Sequence, residues 1–365
     1  MTLRNINWTY TLFFILTPIV AILGTVYLAL TGGIHKFTVI FALIMLLLTG
    51  ISITAGYHRC FSHGAYEAHP VVRWLFVFFG SAAFEGAVLE WCTDHRMHHR
   101  YTDTEKDPYN VKQSFWHAHI GWIFTLDESK RDFSNVDDLM KDPLLRFQKD
   151  YYSWIATVLC FFMPMGVASL WGDPLGGLIL AGALRVSLNH HFTFLINSAC
   201  HYFGTQPYSD QGTARDNPLM ALFTYGEGYH NFHHKFPLDF RNGIRFYDFD
   251  PSKWLIKSLS WVGLAKNLKK VDEHKILSYR IRMDEKQLLE QAKKHSSDFF
   301  HKISELLHPA KAAVMNSIKT IESMDKVEAS KECLLRAKED LKNSLIEWQN
   351  AISRVKMLSK AHAAA

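Results

Sequence analysis

Residues 37–63 read FTVIFALIMLLLTGISITAGYHRCFSH. No charged residue occurs from Phe37 to Tyr57, and the segment then delivers His58 and His63 at its end. An uncharged run of that length is expected to cross a membrane as a helix, with imidazoles placed where the span meets water.

Working outward, Trp8–Leu30 is a second uncharged run of 23 residues. As a helix it covers roughly 34 Å, enough for a hydrocarbon core. It is also too long for the apolar region of a signal peptide. Gly32-Gly33 and His35-Lys36 form a tight turn, so spans 8–30 and 37–57 read as one hairpin. Tyr151–Trp171 and Leu175 to about Phe194, joined at Gly172-Asp173-Pro174, read as a second. Arg185 lies inside the fourth span and should face protein rather than lipid. Val71–Trp91 is apolar but carries Arg73, Glu85 and Glu90, and reads as an interfacial or core helix. The intervening segment from Asp94 to Asp150 is polar and rich in charge and histidine.

The fold class expected is thus an all-α integral membrane protein. Four transmembrane helices form two hairpins beneath a helical cap, and a charged helical tail follows. The membrane domain is expected over 1–270 and the tail over 271–365, with tail helices at Met283–Leu307 and Val327–Lys360 broken near Pro309. Lys and Arg are dense in the long polar segments, which places these and both termini on the cytoplasmic side. A net charge of +5 fits a surface facing anionic headgroups. No basic run interleaved with aromatics supports nucleic-acid binding. Five scattered cysteines without CxxC pairing argue against a disulfide framework.

Twenty histidines are unusual, and they cluster. Besides His58 and His63, the chain has His95-Arg-Met-His98-His99 and His230-Asn-Phe-His233-His234. On a helix, positions i, i+3 and i+4 share a face, so each HxxHH run can aim three imidazoles into one volume. Eight histidines from three separated segments would saturate two metal ions and leave room for O2. Imidazole suits iron, copper, zinc and nickel, so the ligand type alone does not name the metal. Asn197 and His201, four residues apart at the end of the fourth span, are two further candidate ligands, with helix capping the alternative for Asn197. Stepping back from His58 at helical spacing, Thr54, Ile51, Gly50 and Leu47 share its face. They line either a narrow tunnel or an ordinary helix–helix contact.

At these residues the sequence resembles the membrane acyl-CoA desaturases of the stearoyl-CoA delta-9 type. The matching strings are Gly56-Tyr-His58-Arg-Cys-Phe-Ser-His63, Glu90-Trp-Cys-Thr-Asp94-His95-Arg-Met-His98-His99, Asn197-Ser-Ala-Cys-His201 and Gly226-Glu-Gly-Tyr-His230-Asn-Phe-His233-His234. Tyr101–Tyr109 continues the second string, and the likeness covers roughly residues 10–265. The resemblance implies four transmembrane helices under a cytosolic cap, and nine ligands: His58, His63, His95, His98, His99, His201, His230, His233 and His234. Asn197 would complete the set through a water. It also implies two iron ions, O2 as co-substrate, and a cis double bond introduced into a saturated acyl-CoA, at delta-9.

Acceptors behind the imidazoles should orient them, with Asp94, Asp103, Asp107 and Glu227 as candidates. Animal members carry an Arg-Lys-His-Pro-like stretch after the Gly-Trp matching Gly121-Trp122. Here the segment is Thr125-Leu-Asp127-Glu128-Ser-Lys130-Arg131. Arg96, Arg100, Lys106 and Lys112 are therefore the expected substitutes for gripping the CoA phosphates, with an acyl-phospholipid or acyl-carrier-protein thioester as alternative substrate forms. No His-Pro-Gly-Gly haem segment occurs in the tail, so electrons are expected from a separate cytochrome b5 or a ferredoxin-type donor. Competing readings are a hydroxylase with the same site, a bis-histidine haem electron carrier, and a metal transporter, whose ligands should sit near the bilayer midplane.

Overall fold

In a computed structural model of the chain, residues 6–326 and 330–364 are described. Two units cluster separately: residues up to Thr205 together with Gln211–Lys270, and Gln206–Asp210 together with Val271 onward. Among the described residues both are mainly helical, and the first unit adds a two-residue antiparallel pairing of Glu67–Ala68 with Ala265–Lys266.

Among the described residues three helices are long and apolar enough to cross a membrane: α1 (Trp8–Leu30), α2 (Lys36–Ser62) and, further along the chain, α5 (Tyr152–Ser169). Between them lie α3 (Pro70–Ser81) and α4 (Val88–Tyr101). The single helix read over 71–91 is therefore two. The chain turns at 82–87, where Phe84 (φ 59°) and Gly86 (φ 96°) take left-handed backbone that a helix interior cannot accommodate. The fourth expected span is a continuous helical run, α6 (174–197). It is missing from the helices that are apolar enough because Arg185, Asn189, His190 and His191 interrupt it.

Those polar residues have a structural purpose. Arg185, Asn189 and Thr193 recur every fourth position, so they form one stripe along α6. The stripe grips the 82–87 turn. Arg185 Nη1 donates to the Ala82 carbonyl, and Asn189 Nδ2 and Thr193 Oγ1 donate to Glu85 Oε1 at 2.7 and 2.8 Å. His190 Nε2 meets the Phe84 carbonyl at 3.0 Å. The Gly86 N–H is taken by Tyr152 Oη at 2.8 Å. An irregular buried turn needs such partners for its backbone groups.

Small residues set how closely the helices approach. Gly24 admits the Ile179 side chain, and Leu28, Ile179 and Leu180 bury together. At the far end, Thr38 binds Asp173, and Trp171 Nε1 donates to Thr38 Oγ1 at 2.9 Å, tying together the α1–α2 and α5–α6 turns. Outward faces of α1 and α2 stay apolar and exposed, as at Leu12, Leu23, Leu30, Leu43 and Leu47.

From Ser52 to Ser62 the α2 backbone widens into a π-helix with all eleven residues buried. The register assumed for the tunnel face breaks there. Thr54 stays buried beside His58, but Leu47 faces outward. A Cβ on Gly50 would collide with the Tyr225 ring, and Ile51 packs against the apolar core.

The tail unit contains α7 (Glu273–Lys293), α8 (Ser297–Lys326) and α9 (Lys331–Ala364). Its own core includes Ile281, Ile303, Leu307, Val314, Ile318, Leu341 and Trp348. Pro309 does not break α8 as expected; the break falls at 294–296 instead. Proline forfeits one helical hydrogen bond, but Leu307 and Val314 on either side are fully buried in the tail core and hold the helix through it. Val327, the expected start of the last helix, lies outside the described residues.

Replacing Gly80 by valine tests the α2–α3 contact, since a Cβ there stands 2.2 Å from Tyr57 Cε1. Overpacking at such a site costs about 1–3 kcal/mol. A lower thermal midpoint in detergent is expected, and an unchanged one would contradict the packing described.

Candidate metal centre

Eight of the expected ligands reach the same region by three local devices, and His201 joins them from the short helix Ala199–Tyr202. The helix α4 presents His95, His98 and His99, and the short helix His230–Lys235 presents His230, His233 and His234. The third device was not legible from the α-helical period. Positions i and i+5 on an α-helix lie about 140° apart, yet the His58 and His63 rings are 4.8 Å apart. The π-helical winding closes the gap, with the His63 N–H bonded to the His58 carbonyl at 3.1 Å. Single π turns inside helices are frequent at functional sites.

The imidazoles fall into two groups. His58, His63, His95, His99 and His233 converge in one, and His98, His201, His230 and His234 in the other. In each, the Nε2 atoms face one another. His58–His233, His233–His99 and His63–His95 are each separated by 2.9 Å. In the second group His98–His234 is 3.2 Å, while His234–His230 and His230–His201 are both 3.1 Å. Two nitrogens at right angles on a metal, each bound at about 2.1 Å, would stand about 3.0 Å apart.

Hydrogen bonding among the rings cannot explain this arrangement. His98 Nδ1 lies 2.8 Å from Asp107 Oδ1, and His201 Nδ1 lies 2.8 Å from Thr213 Oγ1, which itself donates to Asp103 Oδ1. Both Nδ1 atoms are therefore donors, leaving a lone pair on each Nε2. In the row His98–His234–His230–His201, both ends must accept. His234 and His230 then donate outward, and two N–H groups meet in the middle. A cation between the nitrogens removes the conflict, so the donor set fits a metal ion.

The electrostatics agree. Burial, reinforced by the neighbouring rings, holds His63, His95, His99, His230, His233 and His234 well below the usual imidazole range, and His201 down to about 3. The rings are neutral at pH 7, the form that binds a metal. Burial works to raise the Asp107 and Glu227 carboxyls, but His98 overrides it at Asp107, and Arg59 and His58 at Glu227, so both remain ionised.

The four expected acceptors separate. Asp107 touches His98, and Glu227 Oε2 lies 3.0 Å from His58 Nδ1. Asp103 acts through Thr213. Asp94 binds Arg131 at 2.7–3.0 Å and contacts no imidazole, because α4 turns it away from the face carrying His95, His98 and His99.

A cavity of about 610 Å³ opens beside the groups, bordered by His58, His95, Asn197, Glu227 and Trp91. Asn197 ends α6, where it borders this cavity. The lining combines apolar and aromatic residues (Phe13, Phe14, Ile53, Phe84, Phe194, Ile196) with the charged or ionisable Glu85, Glu90, Asp94, Glu128, Arg131 and Lys149. Of the expected tunnel residues only Thr54 borders it. Arg96, Arg100, Lys106 and Lys112 do not. Arg96 is committed to Asp138 and to the Ser62 and Asn135 carbonyls; Arg100 and Lys106 lie over Tyr101, and Lys112 is exposed. Arg131 and Lys149 are the cations at the cavity instead. Spacing gave no sign of Thr213 or Lys149, whereas Arg59 stood in view inside the first histidine string.

Zinc or ferrous ion added to chelator-stripped protein is expected to raise its thermal midpoint, since a ligand at a hundred times its Kd stabilises the fold by about 2.7 kcal/mol. A double His98→Ala, His233→Ala variant, with one change in each group, should show no such shift. An unmoved midpoint in the parent would count against metal binding.

Comparison with known proteins adds to the geometry. The family model described as fatty acid desaturase matches residues 35–260. A Schizosaccharomyces pombe protein named probable acyl-CoA desaturase is 44% identical over 275 residues, covering 75% of this chain and 57% of the relative. The Bos taurus stearoyl-CoA desaturase 5 is 36% identical, with 71% and 80% covered. An acyl-CoA delta(11) desaturase of Spodoptera littoralis is 35% identical, with 66% and 72% covered. The chain thus spans little more than half the length of the fission-yeast relative, but most of the cattle one. A match over most of the chain, joined to that likeness, places this protein in the fatty acid desaturase family.

Proposed function

We propose that the protein is an acyl-CoA desaturase that introduces a cis double bond, at delta-9, into a saturated chain. The observation that carries the reading is the cavity, whose lining brings apolar and charged residues together with His58, His95 and Asn197. Its volume lies within the range of small-molecule sites. One –CH2–CH2– unit, O2, two electrons and two protons would give one –CH=CH– unit and two waters. Two iron ions, when bound, would supply the oxidising power that an unactivated methylene requires. The nine histidines would hold them, with Asn197 acting through a water.

The chain's own residues would do the rest. Phe13, Phe14, Ile53 and Phe84 would exclude water from the acyl chain, and Thr54 would lie along it beside His58. Arg131 and Lys149 at the cavity, helped by the exposed Arg100, Lys106 and Lys112, would meet the phosphates of CoA. The helices α1, α2, α5 and α6 would cross the membrane as two hairpins, with α6 sheltering its polar stripe inside. The imidazoles and both termini would face the cytoplasm. In this reading residues 1–270 form the membrane desaturase domain and 271–365 its helical appendage. A separate cytochrome b5 or ferredoxin-type protein would donate electrons. The Spodoptera littoralis relative is named for a delta(11) bond, so the products must be mapped.

Expression in a host with a saturated acyl pool and a compatible reductase, followed by mass-spectrometric location of double bonds, tests the proposal. Cis-9 monoenes that vanish in the His98→Ala, His233→Ala variant are expected; hydroxylated chains would indicate the hydroxylase instead. A second test concerns Glu85, at the cavity wall. Burial pushes its carboxyl up to about 8 against the hydrogen bonds from Thr193 and Asn189. It is therefore neutral at pH 7 and ionises as the pH rises through 8, placing a charge beside the acyl chain. KM should rise above pH 8 in the parent and stay flat in Glu85→Gln. Identical profiles would remove Glu85 from the substrate site.

A further inference from the structure

We propose that the two imidazole groups are held by separate outer networks, so that one metal position can be emptied while the other stays filled. This rests on the reading of the groups as a metal centre.

Behind the five-histidine group, Glu227 lies at the middle of one network. Its Oε2 faces His58 Nδ1 at 3.0 Å and accepts from Asn242 Nδ2. Its Oε1 accepts from Arg59 Nε and Nη2 at 3.1 and 2.8 Å. Arg59 Nη1 continues to Asp250 Oδ2 at 3.1 Å and to the Phe240 carbonyl at 2.9 Å. Asp250 Oδ2 also takes the Asn242 and Gly243 N–H groups at 2.9 and 3.1 Å. Arg59, Glu227, Asn242 and Asp250 are each no more than 1% exposed. Gly226 is required for this closeness, because a Cβ there would stand 2.6 Å from Asp250 Oδ1.

Behind the four-histidine group the chain uses other residues. Asp107 accepts from His98 and from the Asp103 and Tyr109 N–H groups at 2.9 and 3.0 Å. Asp103 takes the Thr213 N–H and hydroxyl at 2.7 and 2.6 Å, and that hydroxyl accepts from His201 Nδ1. Asp103 has φ 64°, so its backbone is bent to bring the carboxylate there.

No side-chain hydrogen bond joins these two sets among the described residues, and the one link is through backbone, from Glu227 to His230. Each acceptor fixes which ring nitrogen keeps its lone pair, and losing such a partner typically weakens metal affinity 10- to 100-fold. Arg59, Asn242 and Asp250 are therefore positioning residues for the first position, and Thr213 with Asp103 for the second.

The test measures metal per chain by mass spectrometry on protein equilibrated with ferrous or zinc ion against a competing chelator. The parent should hold two ions. Glu227→Gln and Asp107→Asn should each hold about one. Adding Asn242→Ala to Glu227→Gln should leave that value at about one, whereas combining Glu227→Gln with Asp107→Asn should bring it near zero. If these buried changes prevent folding, Asn242→Ala, which removes one hydrogen bond to Glu227, and Thr213→Val, which removes the hydroxyl's bonds to His201 and Asp103, are compared alone and together. Independence then requires each single variant to lower affinity in a different one of two binding phases. Loss of both ions in any single variant, or equal effects of same-side and cross-side pairs, would overturn separate support. A parent that binds no metal would overturn the metal centre itself.

Discussion

Nine imidazoles packed with their Nε2 atoms about 3 Å apart are the constraint around which the first unit is organised. Rings this close and this buried cannot satisfy one another, since a ring nitrogen carries either one proton or one lone pair. The remaining polar architecture answers to that fact. Asp107 and Thr213 fix Nδ1 as the protonated nitrogen on two of the rings, and the Glu227 carboxylate faces His58 Nδ1. The carboxylates are in turn held by Arg59, by Asn242 and by backbone N–H groups. Buried charge of this kind is costly unless each member is paired, which is why the supporting residues come as closed networks.

A second constraint follows from putting polar chemistry beside an apolar cavity. The 82–87 turn is irregular backbone in the interior, and its carbonyls and the Glu85 carboxyl need donors. Arg185, Asn189, His190 and Thr193 supply them from one side of α6. These residues lower the apolar character of that helix, so its unusual composition is a direct consequence of gripping the turn. Phe84, forced to positive φ, stacks on Phe13 at 4.6 Å, so the strained residue is also part of the cavity wall.

Some of this could be read from residues alone. The i, i+3, i+4 spacing of His95, His98 and His99, and of His230, His233 and His234, is enough to converge three rings because a helix has a fixed period. Asp107 and Glu227 were legible as acceptors by their nearness to histidine strings, and Asp94 was misread on the same ground because α4 aims it at Arg131. The face through Leu47, Gly50 and Ile51 failed for a different reason. It assumed 3.6 residues per turn through a segment that unwinds at Ser52. Pro309 was taken as a break because its local cost is real, yet burial of Leu307 and Val314 outweighs one missing hydrogen bond.

The sequence by itself determined the class of molecule: apolar runs long enough for a bilayer, and histidine strings whose periods make clusters inevitable. Those are one-dimensional properties, set by hydrophobic transfer and helical geometry over a few turns. Only the tertiary structure decided how nine rings divide into five and four. It also decided that His58 and His63 meet through a π-helix, and that Arg131 and Lys149, rather than Arg96 or Lys112, border the cavity. These outcomes depend on contacts between residues far apart in the chain, such as Arg59 with Asp250 and Asp103 with Thr213. Local propensity carries no information about such partners, because their pairing is fixed by the need to satisfy buried charge across helices.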